Sequence, residues 1–164
     1  MESQIRPFEP GDVEMLERSL RSEDEAKFRR RLSEQQAGGI FGLVAWREGK
    51  PVGHAFVRWK PGAPLESGLP GTPVVTDLAV VPDMQSKGIG TSLMNEAERI
   101  IREAGHKRVA IGVDITNEGA LRLYSRLGYR DSGINPVSSR GSFIDRSGTF
   151  RTHEGTLVHL VKDL

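Results

Sequence analysis

Cysteine is absent from the 164 residues, which excludes disulfides, thiolate metal sites and a cysteine nucleophile, and fits a reducing compartment. An excess of either charge is absent too: 23 Lys plus Arg stand against 22 Asp plus Glu, so no general field draws the chain to nucleic acid or an anionic membrane. No apolar run approaches the roughly 20 residues that span a bilayer. Residues 1–12 lack the basic and apolar regions of a signal peptide. No repeat, low-complexity tract or linker divides the chain. What remains is the expectation of one cytoplasmic domain, residues 1–164, whose 37% hydrophobic content suffices for a core.

The pattern along the chain mixes strands and helices. Residues 4–8 read as a short strand, followed by a helix with Asp12 at its N-cap. A second helix is expected from Ser22, with Glu25 closing a capping box, to Gln36; Lys27, Arg29, Arg30 and Arg31 crowd its middle as a solvated face or a cationic wall. Residues 41–47 and 51–60 form a hairpin around Glu48-Gly49-Lys50. Residues 61–73, with four prolines, predict a loop, and the apolar run 74–81 predicts a strand covered on both faces. A helix from Gly88 to Gly105, a strand over 108–114, a helix over 117–127 and strands over 129–132 and 157–161 follow. Between the last two lies a long polar insert, 133–155, in which 142–145 and 149–152 can pair around Arg146-Ser147-Gly148.

Residues 76–105 organise the chain: strand, short polar turn, Gly88-Ile89-Gly90, helix. Glycine lets backbone approach closely, and the first helical turn has unpartnered N–H groups, so this is a socket for an anion such as phosphate. The phosphate loop of nucleotide hydrolases fails, because Gly90 is followed by Thr91-Ser92 and Lys87 comes before the glycines. A dinucleotide fingerprint puts its third small residue at Leu93 and has too long a turn, although Asp114 sits where a ribose-binding acid would. A purely structural glycine turn stays open on these residues alone.

Gln85-Ser86-Lys87-Gly88-Ile89-Gly90 resembles the Gln/Arg-x-x-Gly-x-Gly/Ala signature of the GNAT family of N-acetyltransferases. The stretch from Asn117 through Ala120, Leu123 and Tyr124 to Gly128-Tyr129 is similar to a second segment of that family, Asn-x-x-Ala-x-x-Leu-Tyr-x-x-x-Gly-Phe/Tyr. The resemblance covers roughly residues 74–130. It implies one α/β (α+β) domain with a mixed, mostly antiparallel sheet of about seven strands, about four helices and splayed central parallel strands.

It also implies acetyl-coenzyme A as cosubstrate. The main chain of Leu78, Ala79 and Val80 would run beside the pantetheine arm, and Gln85, Ser86, Lys87, Gly88, Ile89, Gly90 and Thr91 would wrap the pyrophosphate. Gln85 stands where many relatives carry arginine, which weakens charge pairing but keeps a donor. Asn117 matches a residue that contacts the cofactor arm, and equally suits a helix N-cap. Tyr124 is the candidate acid for the leaving thiolate and a cofactor-binding residue through a hydrogen bond to the sulfur, since a phenol keeps its proton at neutral pH; without the resemblance it reads as a core aromatic. Asp77, next to the cofactor strand, is the candidate base or else a structural hydrogen-bonding group; Glu118 and Asp114 are weaker candidates. With no cysteine, acetyl passes directly to the amine in a ternary complex. The acceptor is a primary amine, as a small molecule such as an amino acid, amino sugar or polyamine, or else a protein amine; a non-catalytic acyl-coenzyme A-binding module is the rival reading. The expected acceptor-binding parts are residues 23–36, 61–73 and 133–155. No metal site is expected: His153, Glu154 and His159 have the wrong spacing for a zinc helix, His54 reads as a packed or edge histidine, and His106 as the start of a strand. Neither nucleic acid nor membrane is an expected partner, and a homodimer stays open.

Overall fold

The computed structural model describes residues 2–22, 24–62, 65–144, 147 and 149–164. Among them, eight strands and five α-helices follow the order β1 (Gln4–Pro7), α1 (Val13–Ser19), α2 (Lys27–Gln36), β2 (Ile40–Arg47), β3 (Lys50–Arg58), α3 (Leu65–Gly68), β4 (Val74–Val80), α4 (Ile89–Glu103), β5 (Arg108–Asp114), α5 (Glu118–Arg126), β6 (Arg130–Asp131), β7 (Val137–Ile144) and β8 (Phe150–Asp163). They build one open sheet in the order β1-β2-β3-β4-β5-β8-β6, with β7 added on β8. Only β4 and β5 are parallel neighbours. None of the described helices is long and apolar enough to cross a membrane.

Alternation along the strands gives the sheet two differently covered faces. Leu43, Ala45, Ala55, Val57, Val75, Ile111 and Val113 pack with Leu93, Met94, Ala97, Ile101 and Tyr124, so α4 and α5 cover one face. Val44 and Phe56 pack with Leu16 and Phe28 under α1 and α2 on the other. The same second face carries Val74, Ala110 and Val161 beneath Leu65 and Leu69 at α3. Buried Glu98 of α4 accepts from Lys162 Nζ at 2.5 Å and from the Tyr129 hydroxyl at 3.4 Å, tying α4 to β8.

Several local expectations are corrected. Asp12 does not cap α1; its carboxylate accepts from the Arg6 guanidinium at 2.8 and 3.0 Å and from the Glu9 N–H at 2.8 Å. The second helix starts at Lys27 without the Ser22 capping box, because Ser22 Oγ accepts from Asp24 N–H and Asp24 Oδ1 from Ala26 N–H in a stepped turn. Residues 61–73 include the short helix α3. The run 74–80 is buried only at Val74 and Val75, since the neighbouring strand departs there. The insert 133–155 is mostly an antiparallel arm, from Val137 against Leu157 to Ile144 against Phe150. Of its expected turn, Asp145, Arg146 and Gly148 lie outside the described residues.

Candidate active site

The parallel pair at the centre of the sheet is short. Val74 pairs with Ala110 and Val75 with Ile111, and no further pairing joins β4 to β5. Both strands continue, to Val80 and Asp114. From Thr76 onward β4 therefore has one edge held by β3 and the other open, with backbone groups that require a partner.

The divergence has a local cause. Asp77 adopts φ 58°, a left-handed conformation costly for any side chain bearing Cβ. The β3 to β4 register places one residue, Ala55, opposite two, Asp77 and Leu78: His54 faces Ala79 and Phe56 faces Thr76. This bulge bends β4 away from β5. His54 holds it in place. Its ring is 1% exposed, wedged edge-on to Phe28 at 5.3 Å, and its Nδ1 lies 2.7 Å from the Asp77 carbonyl. A carbonyl only accepts, so Nδ1 carries the proton and donates. Burial pushes the imidazole pKa down to about 4, although the nearby Asp77 carboxylate acts in the opposite direction, and the ring is neutral at pH 7. The sequence suggested only a packed or edge histidine here; spacing carries no sign of a side chain that pins a bulge.

Between the splayed strands opens a cleft of about 300 Å³. Thr76, Asp77 and Leu78 of β4, Gly112 to Asp114 of β5, Asn117, Ala120 and Tyr124 at α5, and Leu157 and His159 of β8 line it. Of the residues expected to be functional, Asp77, Leu78, Asn117 and Tyr124 thus share one cavity. Ala79 and Val80 continue the open edge of β4, and residues 85–91 lie beyond its end.

Tyr124 is 5% exposed and its ring stands 5.9 Å from that of Tyr129. Burial pushes its hydroxyl pKa up to about 12, so the phenol is protonated throughout the neutral range. Asn117 uses its side-chain oxygen as the N-cap of α5, accepting from Ala120 N–H at 3.0 Å, while its NH2 group remains available as a donor. Asp77 is an ion-paired carboxylate: Oδ1 lies 2.8 Å from Lys27 Nζ and Oδ2 3.7 Å from Arg31 Nε, both on α2. Desolvation acts to raise its pKa, but His54, Lys27 and Arg31 prevail and hold it below the usual 3.8. Oδ2 is shut off from solvent without a hydrogen-bond partner.

At the start of α4, Gly88 sits at φ 84° as the N-cap residue with no side-chain cap. Ser92 N–H is bonded back to Gly88 O at 3.0 Å, so the N–H groups ahead of it are those that any α-helix start leaves for an external acceptor. Ser86, at φ 62°, turns the chain into this position. Gln85 donates its side-chain amide to the Val80 carbonyl at 3.0 Å, fixing the turn against the end of β4. Lys87 is exposed beside it.

The sequence profile of the Acetyltransferase (GNAT) family matches residues 7–129. A mycothiol acetyltransferase of Acidothermus cellulolyticus is 32% identical over 65% of this chain and 35% of its own length. An N-alpha-acetyltransferase of Arabidopsis thaliana is 35% identical over 53% of this chain and 43% of its own. The matched part is therefore less than half of either relative. Among solved structures, an N-acetyltransferase from Staphylococcus aureus superposes with TM-score 0.75 at 14% identity over 99% of both chains. An N-acetyltransferase from Thermoplasma acidophilum in complex with coenzyme A gives TM-score 0.69 at 16% identity over 100% of both. With three quarters of its length under one family profile and a glycine turn, splayed strands and tyrosine-bearing helix in the order that profile spans, this chain belongs to the GNAT acetyltransferase family.

Proposed function

We propose that the chain transfers acetyl from acetyl-coenzyme A to a primary amine by direct attack in a ternary complex, in an aqueous compartment such as the cytoplasm. The observation that carries this is the gap between β4 and β5 next to an uncapped helix start. A flexible chain with amide groups can complete the open β4 edge at Leu78, Ala79 and Val80, much as an added strand would. A diphosphate suits the N–H groups of residues 85–91, with Thr91 adding a hydroxyl and Lys87 a charge at the rim. Asn117 would position the arm between these two contacts.

Tyr124 is the proposed acid. It supplies a proton, or a hydrogen bond, to the thiolate that leaves as the amide forms. Asp77 is the proposed receiver of the amine, because it lines the cleft and its negative charge favours an ammonium group. Its ion pair with Lys27 makes it a weak proton acceptor, so any proton it takes passes more readily through water.

A small amine such as an amino acid, amino sugar or polyamine is the acceptor we propose. A protein or peptide amine is the second reading, favoured by the likeness to a plant N-alpha-acetyltransferase. Thiol release from acetyl-coenzyme A across amino acids, amino sugars, polyamines and peptides with free N-termini tests both. Turnover with a small amine supports the first, turnover with peptides alone the second. Cofactor binding without thiol release in any mixture would support a non-catalytic binding module instead.

A further inference from the structure

We propose that His159 is a catalytic residue, the proton acceptor that meets the acceptor amine on the sheet face opposite Tyr124. The inference rests on the acetyltransferase reading above.

Register fixes the side of the sheet. His159 pairs with Gly112 and Val161 with Ala110, and Ala110 and Val161 belong to the core under α3. Cross-strand partners share a face, as do residues two apart. His159 therefore lies on the α2 and α3 face, with the Asp77 carboxylate that reaches Lys27 and Arg31. Tyr124 lies in the core under α4 and α5. Both line one cleft, which consequently passes through the sheet where β4 and β5 part. The start of α4 belongs to the Tyr124 side, which leaves the His159 side for the second substrate.

The ring has been given room and denied a partner. A Cβ at Gly112 would stand 3.2 Å from His159 Nε2, so glycine at this place in β5 leaves the imidazole its position in the cleft wall. His159 is 7% exposed, and its Nδ1 is shut off from solvent with no hydrogen-bond partner. An amine in the cleft meets the other ring nitrogen, Nε2, the one beside Gly112. Burial holds the imidazole pKa below 6.5, so the ring is neutral at pH 7 and has a lone pair to offer.

Asp77 of β4 is met by Lys27 and Arg31 of α2. Asp114 of β5 and Tyr124 of α5 line the same cleft. On β6, Arg130 pairs in register with Val161 and has its guanidinium 3.2 Å from Asp163.

The step balances. The neutral amine nitrogen forms its bond to the thioester carbonyl carbon and gains positive charge; His159 takes one proton from that nitrogen. The carbon–sulfur bond breaks, the sulfur takes a proton from Tyr124, and the amide is left. His159 loses its proton to water, and Tyr124 regains one from water. The net products are amide and thiol.

The test is the pH dependence of kcat with acetyl-coenzyme A and the best amine of the panel at saturation, for the wild type and for His159→Gln. Glutamine keeps hydrogen bonding but does not titrate. The wild type should lose kcat as pH falls, with a midpoint below 6.5. The variant should lose about 100-fold in kcat, have no such acidic limb, and keep its KM for acetyl-coenzyme A. A variant within about twofold of wild-type kcat, a variant that keeps the wild-type acidic limb, or a wild type with no acidic limb down to the pH at which it unfolds, overturns the proposal. If His159→Gln does not fold, as judged by its thermal melt, the wild-type profile decides. An inactive wild type with every amine would overturn the acetyltransferase reading as well; an active wild type with an unaffected variant would overturn the role of His159 alone.

Discussion

At the scale of single residues, the two mouths of the cleft are chemically unlike. Tyr124 is a buried phenol whose pKa of about 12 keeps it protonated, and Asp77 is an anion held by Lys27 at 2.8 Å. A proton donor thus sits on the α5 side and a negative charge on the α2 side. Tyr124→Phe removes one hydroxyl and keeps the ring packed against Tyr129. It should lower kcat by about 100-fold while acetyl-coenzyme A affinity, measured by calorimetric titration, stays within about twofold of wild type. Unchanged turnover would remove Tyr124 from the chemistry. This residue was legible in the sequence only through the motif around it, since helical spacing alone makes it a core aromatic. His159 was not legible, because its position depends on the pairing of a distant strand with Gly112. Asp77 was singled out as a charge within an apolar run, but its ion pair with Lys27, fifty residues earlier, is a property of the fold.

Among elements, β4 does most to shape the site, and its bulge depends on His54. Unfolded, His54 titrates near 6.5; folded, burial brings it to about 4. Between these values only the unfolded chain takes up the proton. This contribution to stability is therefore complete above about pH 6.5 and declines as pH falls towards 4, by roughly 3 kcal/mol over the window. His159 is depressed as well and adds a slope of the same sign. The lowered pKa of Asp77 acts only below about 3.8. Urea unfolding at about pH 7 and 5 should show a drop for the wild type and a smaller one for His54→Gln; equal drops would deny His54 this part. Elements with strong periodicity or plain punctuation, α4 and β5 among them, could be read from the sequence nearly to the residue. The start of α2 could not, because Ser22 and Asp24 bond to nearby N–H groups and delay the helix that Ser22 and Glu25 suggested. Nor could the length of β7 and β8, whose polar residues form a ribbon without the alternation that marks a strand packed on a core.

At the scale of the whole molecule, the design is a sheet divided down its centre. The antiparallel pairs β1 to β4 form one half, and β5, β8, β6 and β7 the other, joined at the base by Val74, Val75, Ala110 and Ile111. Its two faces serve different ends, since α4 and α5 frame the glycine turn while α2 and α3 frame Asp77 and His159. The order of elements and the place of the glycine turn were evident from sequence. That the apolar run 74–80 opens instead of being buried was legible only through the family resemblance, since an open strand edge has the composition of a paired one. That edge and the uncapped start of α4 are the proposed seat of acetyl-coenzyme A. The most direct measurement is the melting temperature with acetyl-coenzyme A or with NAD. Acetyl-coenzyme A at 100 times its Kd should stabilise the fold by about 2.7 kcal/mol and raise the melting temperature, with NAD at the same concentration without effect. A shift with NAD and none with acetyl-coenzyme A would contradict the account.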